Sequence, residues 1–382
     1  MRGVFPSMTR VTSASIATGC HPGTHGLVGN SVVLDEGDGL VNLSVGAPDF
    51  VERMRRATGA TLRRKTLAER LADRGGCVVY SNVSPGAAYF QDPDGFGYVF
   101  HRAGSFGPGR RPVAADRQLD IDVGAVGDEA MTARFCAEVV PPEGPALGVL
   151  WLSEPDWSAH ASALGSAEHV AGLRAADRCV ARVLAALEES ESREEILLVV
   201  CSDHGMSTIR EEIDLTECLV RAGLKEHVSS TDVVVAPNGT AALIYVAGGE
   251  RSTVRKIAQF LEQQPWIGRT WTGPAMKELG LEPEGALSIA LTSEERDDVN
   301  EFGVRGSSVL FRDPFDSKSY LGRGMHGGLS EGEQSPFLFL RGRGFGHGRR
   351  RTRASPIDIA PTLLAHFGLP ADGCDGTPLV PD

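Results

Sequence analysis

Three short segments of this 382-residue chain place acids and imidazoles where apolar runs end. In the first, Leu150-Trp151-Leu152-Ser153-Glu154-Pro155-Asp156 leads on to His160, four positions after Asp156. On a helical turn that spacing brings both side chains onto one face, which suits two ligands of one zinc ion. Taken alone, the pair reads as well as a capping Asp beside a surface His. In the second segment, the apolar run Leu197–Cys201 delivers Ser202-Asp203-His204-Gly205. Neighbouring side chains on a regular strand point to opposite faces. Asp203 and His204 must therefore sit just past the strand, where the chain turns and both can reach one metal. The third segment is Gly324-Met325-His326-Gly327-Gly328, in which flanking glycines let backbone approach a ligand closely. Together, Asp156, His160, Asp203, His204 and His326 are five hard or borderline donors, enough to be shared by two ions in a two-metal site. A nucleophile is the remaining requirement. Thr9, Thr12, Ser13, Ser15 and Thr18 supply hydroxyls near the start of the chain. Each is weak until a base or metal activates it, and the residue pattern does not choose among them.

These residues need strands to carry them. Gly76–Tyr80, Ala146–Leu152, Ile196–Cys201 and Phe337–Leu340 are short, β-rich runs that read as buried parallel strands. Thr66–Arg74, Val170–Glu189 and Arg251–Gln264 have helical apolar spacing. The alternation predicts an α/β fold, a mostly parallel central sheet with helices on both faces. Ligands of such sheets bind beyond the strand ends. Asp232–Val235 and Thr240–Val246 flank Pro237-Asn238-Gly239 and read as a strand pair around a turn. The expected organisation is a catalytic core in 1–210 and 321–382, with 211–320 partly a smaller inserted cap. Arg341–Arg353 reads as a solvated Gly/Arg loop, and Ile357–Thr362 opens a final helix that ends near Gly368.

The net charge of −12 gives no help toward a nucleic-acid polymer, whose binding depends on phosphate neutralisation. A small phosphoester reaching a locally cationic metal site remains open. Seven cysteines without a CxxC pair indicate neither a disulfide framework nor a cysteine zinc site. No apolar run has membrane-spanning length, and the opening MRGVFPSMTRVTSAS lacks a signal-peptide core. As written the chain reads as cytoplasmic, although an upstream extension could carry a targeting signal.

The ordered set of motifs resembles the type I phosphodiesterase/nucleotide pyrophosphatase branch of the alkaline phosphatase superfamily. The segment from Thr9 through Thr18-Gly19 to Pro22 and His25-Gly26 resembles that family's nucleophile segment. Ser153–Asp156 with His160, Ser202–Gly205, Met325–Gly328 and the tail Ile357–Thr362 follow in the family's order. The resemblance implies an alkaline phosphatase-like fold and Thr9 as the nucleophile. It implies one zinc held by Asp156, His160 and His326, and another held by Asp203, His204 and Thr9. A phospho-threonine intermediate follows, with water completing hydrolysis of a phosphate diester. The implied partner is a small phosphoester, with nucleotides among the candidates.

Two departures bear on this reading. Thr12 stands three positions after Thr9, where the resemblance leads one to expect a phosphoryl-contacting Asn. The family's opening strand, which ends in a further Asp ligand of the second metal, has no counterpart in the eight residues before Thr9. Asp35 and Asp38 lie downstream in an apparent loop and do not replace it. The expectation is that Met1 is an internal Met of a longer protein; an in-frame stop just upstream in the coding DNA would exclude this. Without that strand the second ion should bind weakly. A sulfatase is disfavoured because Thr24 stands where the Cys-x-Pro-x-Arg motif needs Arg. A phosphonoacetate hydrolase-like C–P hydrolase and an inactive binding relative are the alternatives. His21 and His25 read as structural, and His101, His169, His227, His347 and His366 as ordinary.

Overall fold

The computed structural model describes residues 1–191, 193–342, 344–349 and 353–380. Helix α1 (Thr9–Thr18) opens the chain, followed by the antiparallel pair β1 (Ser31–Asp35) and β2 (Leu40–Ser44). Strand β3 (Cys77–Ser81) pairs in parallel with β4 (Tyr98–His101). Helix α2 (Ala125–Glu138) then leads to β5 (Leu147–Trp151), parallel to β3 on its other side. Helices α3 (Asp156–Ala161) and α4 (Ala167–Glu189) connect β5 to β6 (Leu198–Cys201). The expected strands and helices of this half are present, with ends shifted by a few residues.

The second half begins with β7 (Ser207–Ile213) and continues with β8 (Val233–Asn238), β9 (Ala241–Val246), α5 (Arg251–Glu262), β10 (Ile267–Thr272) and β11 (Leu287–Ser293). Strands β8, β9, β11 and β10 form an antiparallel sheet in that order. Strand β12 (Arg305–Phe311) lies parallel to β7, β13 (Leu338–Arg341) pairs with β6, and α6 (Ile359–His366) closes the chain. Part of the expected Gly/Arg loop, at 343 and 350–352, lies outside the described residues. Among the described residues no helix is long and apolar enough to cross a membrane.

Two expectations are corrected. Ile196–Cys201, expected as a buried parallel strand, gives the half-buried β6, whose ladder among the described residues is antiparallel, to β13. Phe337–Leu340 does not form a buried parallel strand: β13 runs antiparallel to β6, and Phe337 and Phe339 are exposed. An apolar run looks the same whether it is a central strand or a half-covered edge.

The parallel strands have helices on both faces. On one, Cys77, Val79, Val99 and Leu147 pack with Ile359, Leu363 and Leu364 of α6. On the other, Tyr80 and Phe100 pack with Met131 and Phe135 of α2 and Val183 of α4. Strands β5 and β6 share both of these clusters. Val149 joins Val199 and Cys201 on the first face, while Leu150 and Leu152 join Leu198 on the second. They therefore continue one layer. Yet β5 is laddered to β3, β6 to β13, and no ladder joins β5 to β6 among the described residues.

Helix α1 is buried nearly all round rather than along one stripe. Its hydroxyls are mostly satisfied locally: Ser13 Oγ donates to the Ala87 carbonyl at 2.6 Å and Thr18 Oγ1 to Ala14 at 2.7 Å. His25 is fully buried beneath it. Its Nδ1 accepts the Leu27 N–H, so Nε2–H donates to Ser15 Oγ at 3.0 Å. Burial pushes its pKa down to about 3. His101 is buried in the same tautomer, Nδ1 accepting from Ala103 and Nε2–H donating to the Val83 carbonyl, and burial lowers it to about 4. Both imidazoles are neutral when folded but take up a proton below pH 6.5 when unfolded. Stability is thus present above pH 6.5 and lost as pH falls toward 4, by on the order of 3 kcal/mol for each histidine. Urea midpoints measured from pH 7 to 4 should fall accordingly, and His25→Asn should flatten the decline.

Candidate functional site

The candidate ligands converge where the two halves meet. Asp156 opens α3, and its position is set from behind by Asp128 of α2. The buried Asp128 carboxylate accepts the Ser153 N–H at 3.0 Å, the Ser153 hydroxyl, the Glu154 N–H at 2.8 Å and Asn82 Nδ2 at 2.9 Å. Burial raises its pKa against these four donors, which favour the charged form. Glu154 Oε2 in turn accepts the Ser158 N–H at 3.1 Å, satisfying an otherwise orphaned donor of α3. Asp203 and His204 lie just past β6, as the strand-end argument requires.

His326 is held by a zipper between the two ends of the chain. Ser7 exchanges hydrogen bonds with Gly327 at 3.0 Å in both directions, and its hydroxyl reaches the Gly328 carbonyl. The turn after β8 presses on the same loop. Gly239 has φ +66°, and a Cβ there would lie 1.8 Å from the His326 carbonyl oxygen, so only glycine fits. Beside it, Asn238 Oδ1 accepts the Asn30 N–H at 2.6 Å. The buried Glu333 ties Thr240, Gly328 and Ser330 together.

The resulting geometry is compact. Ligand atoms of Asp156, His160 and His326 lie within 4.8 Å of one another, the one such trio among the described residues. His160 Nε2 is 3.3 Å and His326 Nε2 3.7 Å from Asp156 Oδ1. His204 Nε2 is 3.2 Å from Asp203 Oδ2 and 3.0 Å from Thr9 Oγ1. The His204 and His326 rings stack with centroids 3.5 Å apart. Each imidazole gives its Nδ1–H to a carbonyl: His160 to Gly324 at 2.9 Å, His326 to Ser7 at 2.7 Å, His204 to Gly205 at 3.1 Å. That fixes the tautomer and turns three Nε2 lone pairs inward, the outer-sphere pattern of metal-binding histidines.

Asp156 Oδ1 and Asp203 Oδ2 are buried and receive no hydrogen bond. Two orphaned carboxylate oxygens facing imidazole lone pairs require positive charge between them. This donor set fits divalent cations, with Asp156, His160 and His326 around one position and Asp203, His204 and Thr9 around another. Without a metal, protons take that part. Burial opposes charge on His204, but Asp203 outweighs it and pushes the imidazole up to about 9. His160 is raised in the same way against burial by Asp156. His326 is held well below its ordinary value by burial and by neighbouring His204. The second position has no third acidic or imidazole donor packed as tightly among the described residues.

Thr9 is the first residue of α1 and borders a cavity of about 1100 Å³, together with Asn30, Ser84, Asp156, Trp157, His160, Tyr320 and His326. Thr12 does not border it. Thr12 is fully buried one turn on, and its hydroxyl has no partner. It lies one turn from Thr9 in α1, but only the first turn of this helix, at Thr9 and Arg10, meets the cavity, so nearness does not give access. Asn30 borders the cavity instead. Its Oδ1 accepts the Arg10 N–H at 3.2 Å, so its amide N–H groups are the donors it can offer a ligand. No local pattern marks Asn30, which the fold brings in from 21 positions beyond Thr9. His25 stays apart as a core residue, and Asp35 and Asp38 are exposed on the β1–β2 pair.

Replacing Asp128 with Ala would leave buried donors unanswered and release Asp156, at a cost of about 3 kcal/mol. Urea denaturation should show that loss, and zinc titration of the folded variant should show weakened binding.

The sequence profile of the type I phosphodiesterase/nucleotide pyrophosphatase family matches residues 1–274. The fold is similar to that of murine ectonucleotide pyrophosphatase/phosphodiesterase 5, with TM-score 0.67 and 16% identity over 99% of this chain and 88% of that one. It is likewise similar to phosphonoacetate hydrolase from Sinorhizobium meliloti 1021, with TM-score 0.63 and 18% identity over 96% and 86%. The murine protein has also been solved as an inactive variant with AMP, and the bacterial enzyme with phosphonoformate. No curated protein matches the sequence.

Proposed function

The chain belongs to the type I phosphodiesterase/nucleotide pyrophosphatase family, and from that premise we propose that it hydrolyses small phosphate diesters with Thr9 as the attacking group. The observation that carries this reading is Thr9 Oγ1, 3.0 Å from His204 Nε2 and open to the cavity bordered by Asp156, His160 and His326.

Asp156, His160 and His326 would hold one divalent ion, and Asp203, His204 and Thr9 a second. Bound ions supply Lewis-acid charge that lowers the pKa of the Thr9 hydroxyl and offsets charge on the phosphoryl oxygens. Zinc suits the mixed carboxylate and imidazole set. Thr9 Oγ attacks phosphorus as the ester P–O bond breaks, leaving a phosphothreonine and an alcohol. Water then cleaves that ester and restores the hydroxyl, releasing a phosphate monoester. Asn30 donates an amide N–H to a phosphoryl oxygen during attack. The Nδ1 bonds to Gly324, Ser7 and Gly205 keep the imidazoles from rotating as charge shifts.

A second reading, C–P cleavage of phosphonoacetate, rests on the similarity to the Sinorhizobium enzyme. A third, a binding protein without turnover, rests on the sparse second position. Zinc-loaded protein should cleave bis(p-nitrophenyl) phosphate, and chelation should abolish this. Acetate release from phosphonoacetate exceeding diester cleavage would establish the second reading; no turnover of either would establish the third. Thr9→Ala should lower kcat by on the order of 10³-fold or more. Asn30→Ala should lower it by about 10²-fold, the loss typical of one oxyanion donor.

A further inference from the structure

Arg10 follows Thr9 directly, yet its guanidinium has no carboxylate within ion-pairing distance among the described residues. Nε donates to Ser84 Oγ at 3.2 Å; Nη1 donates to the Asn30 carbonyl at 3.1 Å and Ser44 Oγ at 3.3 Å. Every one of these acceptors is neutral. Two glycines wall the side chain in. A Cβ on Gly46 would lie 2.5 Å from Arg10 Nη2, and one on Gly86 would lie 2.9 Å from its Cδ. Asp313 borders the same cavity and acts on Arg10 at longer range, but its Oδ2 is engaged by Ser31 Oγ at 3.3 Å. A second cation stands beside it. Arg102 Nη1 donates to the carbonyls of Asn82 at 3.4 Å and Val83 at 3.0 Å, so consecutive residues 82–84 hold both guanidinium groups. Arg10, Arg102, Ser44 and Ser84 all border the cavity that contains Thr9.

A half-buried Arg10 held only by neutral acceptors, beside an exposed Arg102 whose main charge influence is Asp128, retains most of its capacity for an anion. We propose that Arg10 and Arg102 form a second anion subsite beside Thr9. Favoured substrates then carry a second oxyanion, phosphate or carboxylate, besides the group attacked by Thr9. This deepens the diesterase reading and rests on it for the word substrate, while the binding claim stands by itself.

Calorimetry on chelator-treated full-length protein, with inorganic phosphate and malonate as probes, tests binding without turnover. At least one probe should bind, and Arg10→Met and Arg102→Met should each weaken it by about 10-fold, the loss of one charge-assisted contact. Which probe binds tells phosphate from carboxylate. In the zinc-loaded enzyme, the ratio of kcat/KM for ADP or phosphonoacetate to that for bis(p-nitrophenyl) phosphate should fall by about the same factor. A purely structural Arg10 would lower all three rates together. Should Arg10→Met fail to fold, Arg102→Met carries the same expectations from an exposed position. Unchanged affinity and an unchanged ratio would overturn the subsite even in an active diesterase. Arginine-dependent binding without turnover of any of the three compounds would instead overturn the diesterase reading and leave the subsite standing.

Discussion

Asp156 Oδ1 and Asp203 Oδ2 are buried, close to imidazole nitrogens, and receive no hydrogen bond. The imidazoles cannot turn to relieve this, because their Nδ1 protons are committed to backbone carbonyls. Carboxylate oxygens and inward lone pairs then repel one another unless a cation or proton lies between them. Much of the surrounding structure keeps this unfavourable arrangement in place. Asp128 anchors the Ser153–Asp156 turn, Ser7 zips to the His326 loop, and Gly239 lets the second sheet press against that loop. The folded chain holds the site open for positive charge.

Placing the site between two sheets has an energetic logic. Each sheet has its own apolar clusters, so each half carries its own burial. The site itself need contribute little to stability and can retain polar groups that a core would exclude. Exposed ion pairs such as Arg53 with Glu36 add little on this scale. Fully buried polar residues such as Asn238 and Glu333 matter more, because removing one leaves several neighbours unsatisfied. These two residues also join the second sheet to Asn30 and to the His326 loop, so the strength of the core and the geometry of the site are coupled there.

The legible part of the site was the part encoded locally. Asp156 and His160 share a helical face, Asp203 and His204 mark a strand end, and His326 is flagged by its glycines. All five are gathered in space. Asn30, Arg10 and Asp128 were not legible, since each acts through a partner tens of positions away and no periodicity marks them. Thr12 misled for a different reason: it is singled out by its position three residues after Thr9 in the resembled family, and such a position does not say whether the side chain faces the cavity; here it is buried away from it. The strands were readable from their apolar runs. The pairing of β13 was not, because strand orientation is decided by connections rather than composition.

The layer that carries the site is interrupted between β5 and β6, whose side chains share two cores while their facing backbones are unladdered. Side-chain packing is non-directional, whereas a β-ladder fixes spacing and register. Asp156 and Asp203 therefore follow strands that share side-chain packing but, among the described residues, no β-ladder. Along β5 the two edges differ: one is laddered to β3, and toward β6 no ladder is formed among the described residues. The distance between Asp156 and Asp203 thus becomes a property of how the side chains pack along that seam.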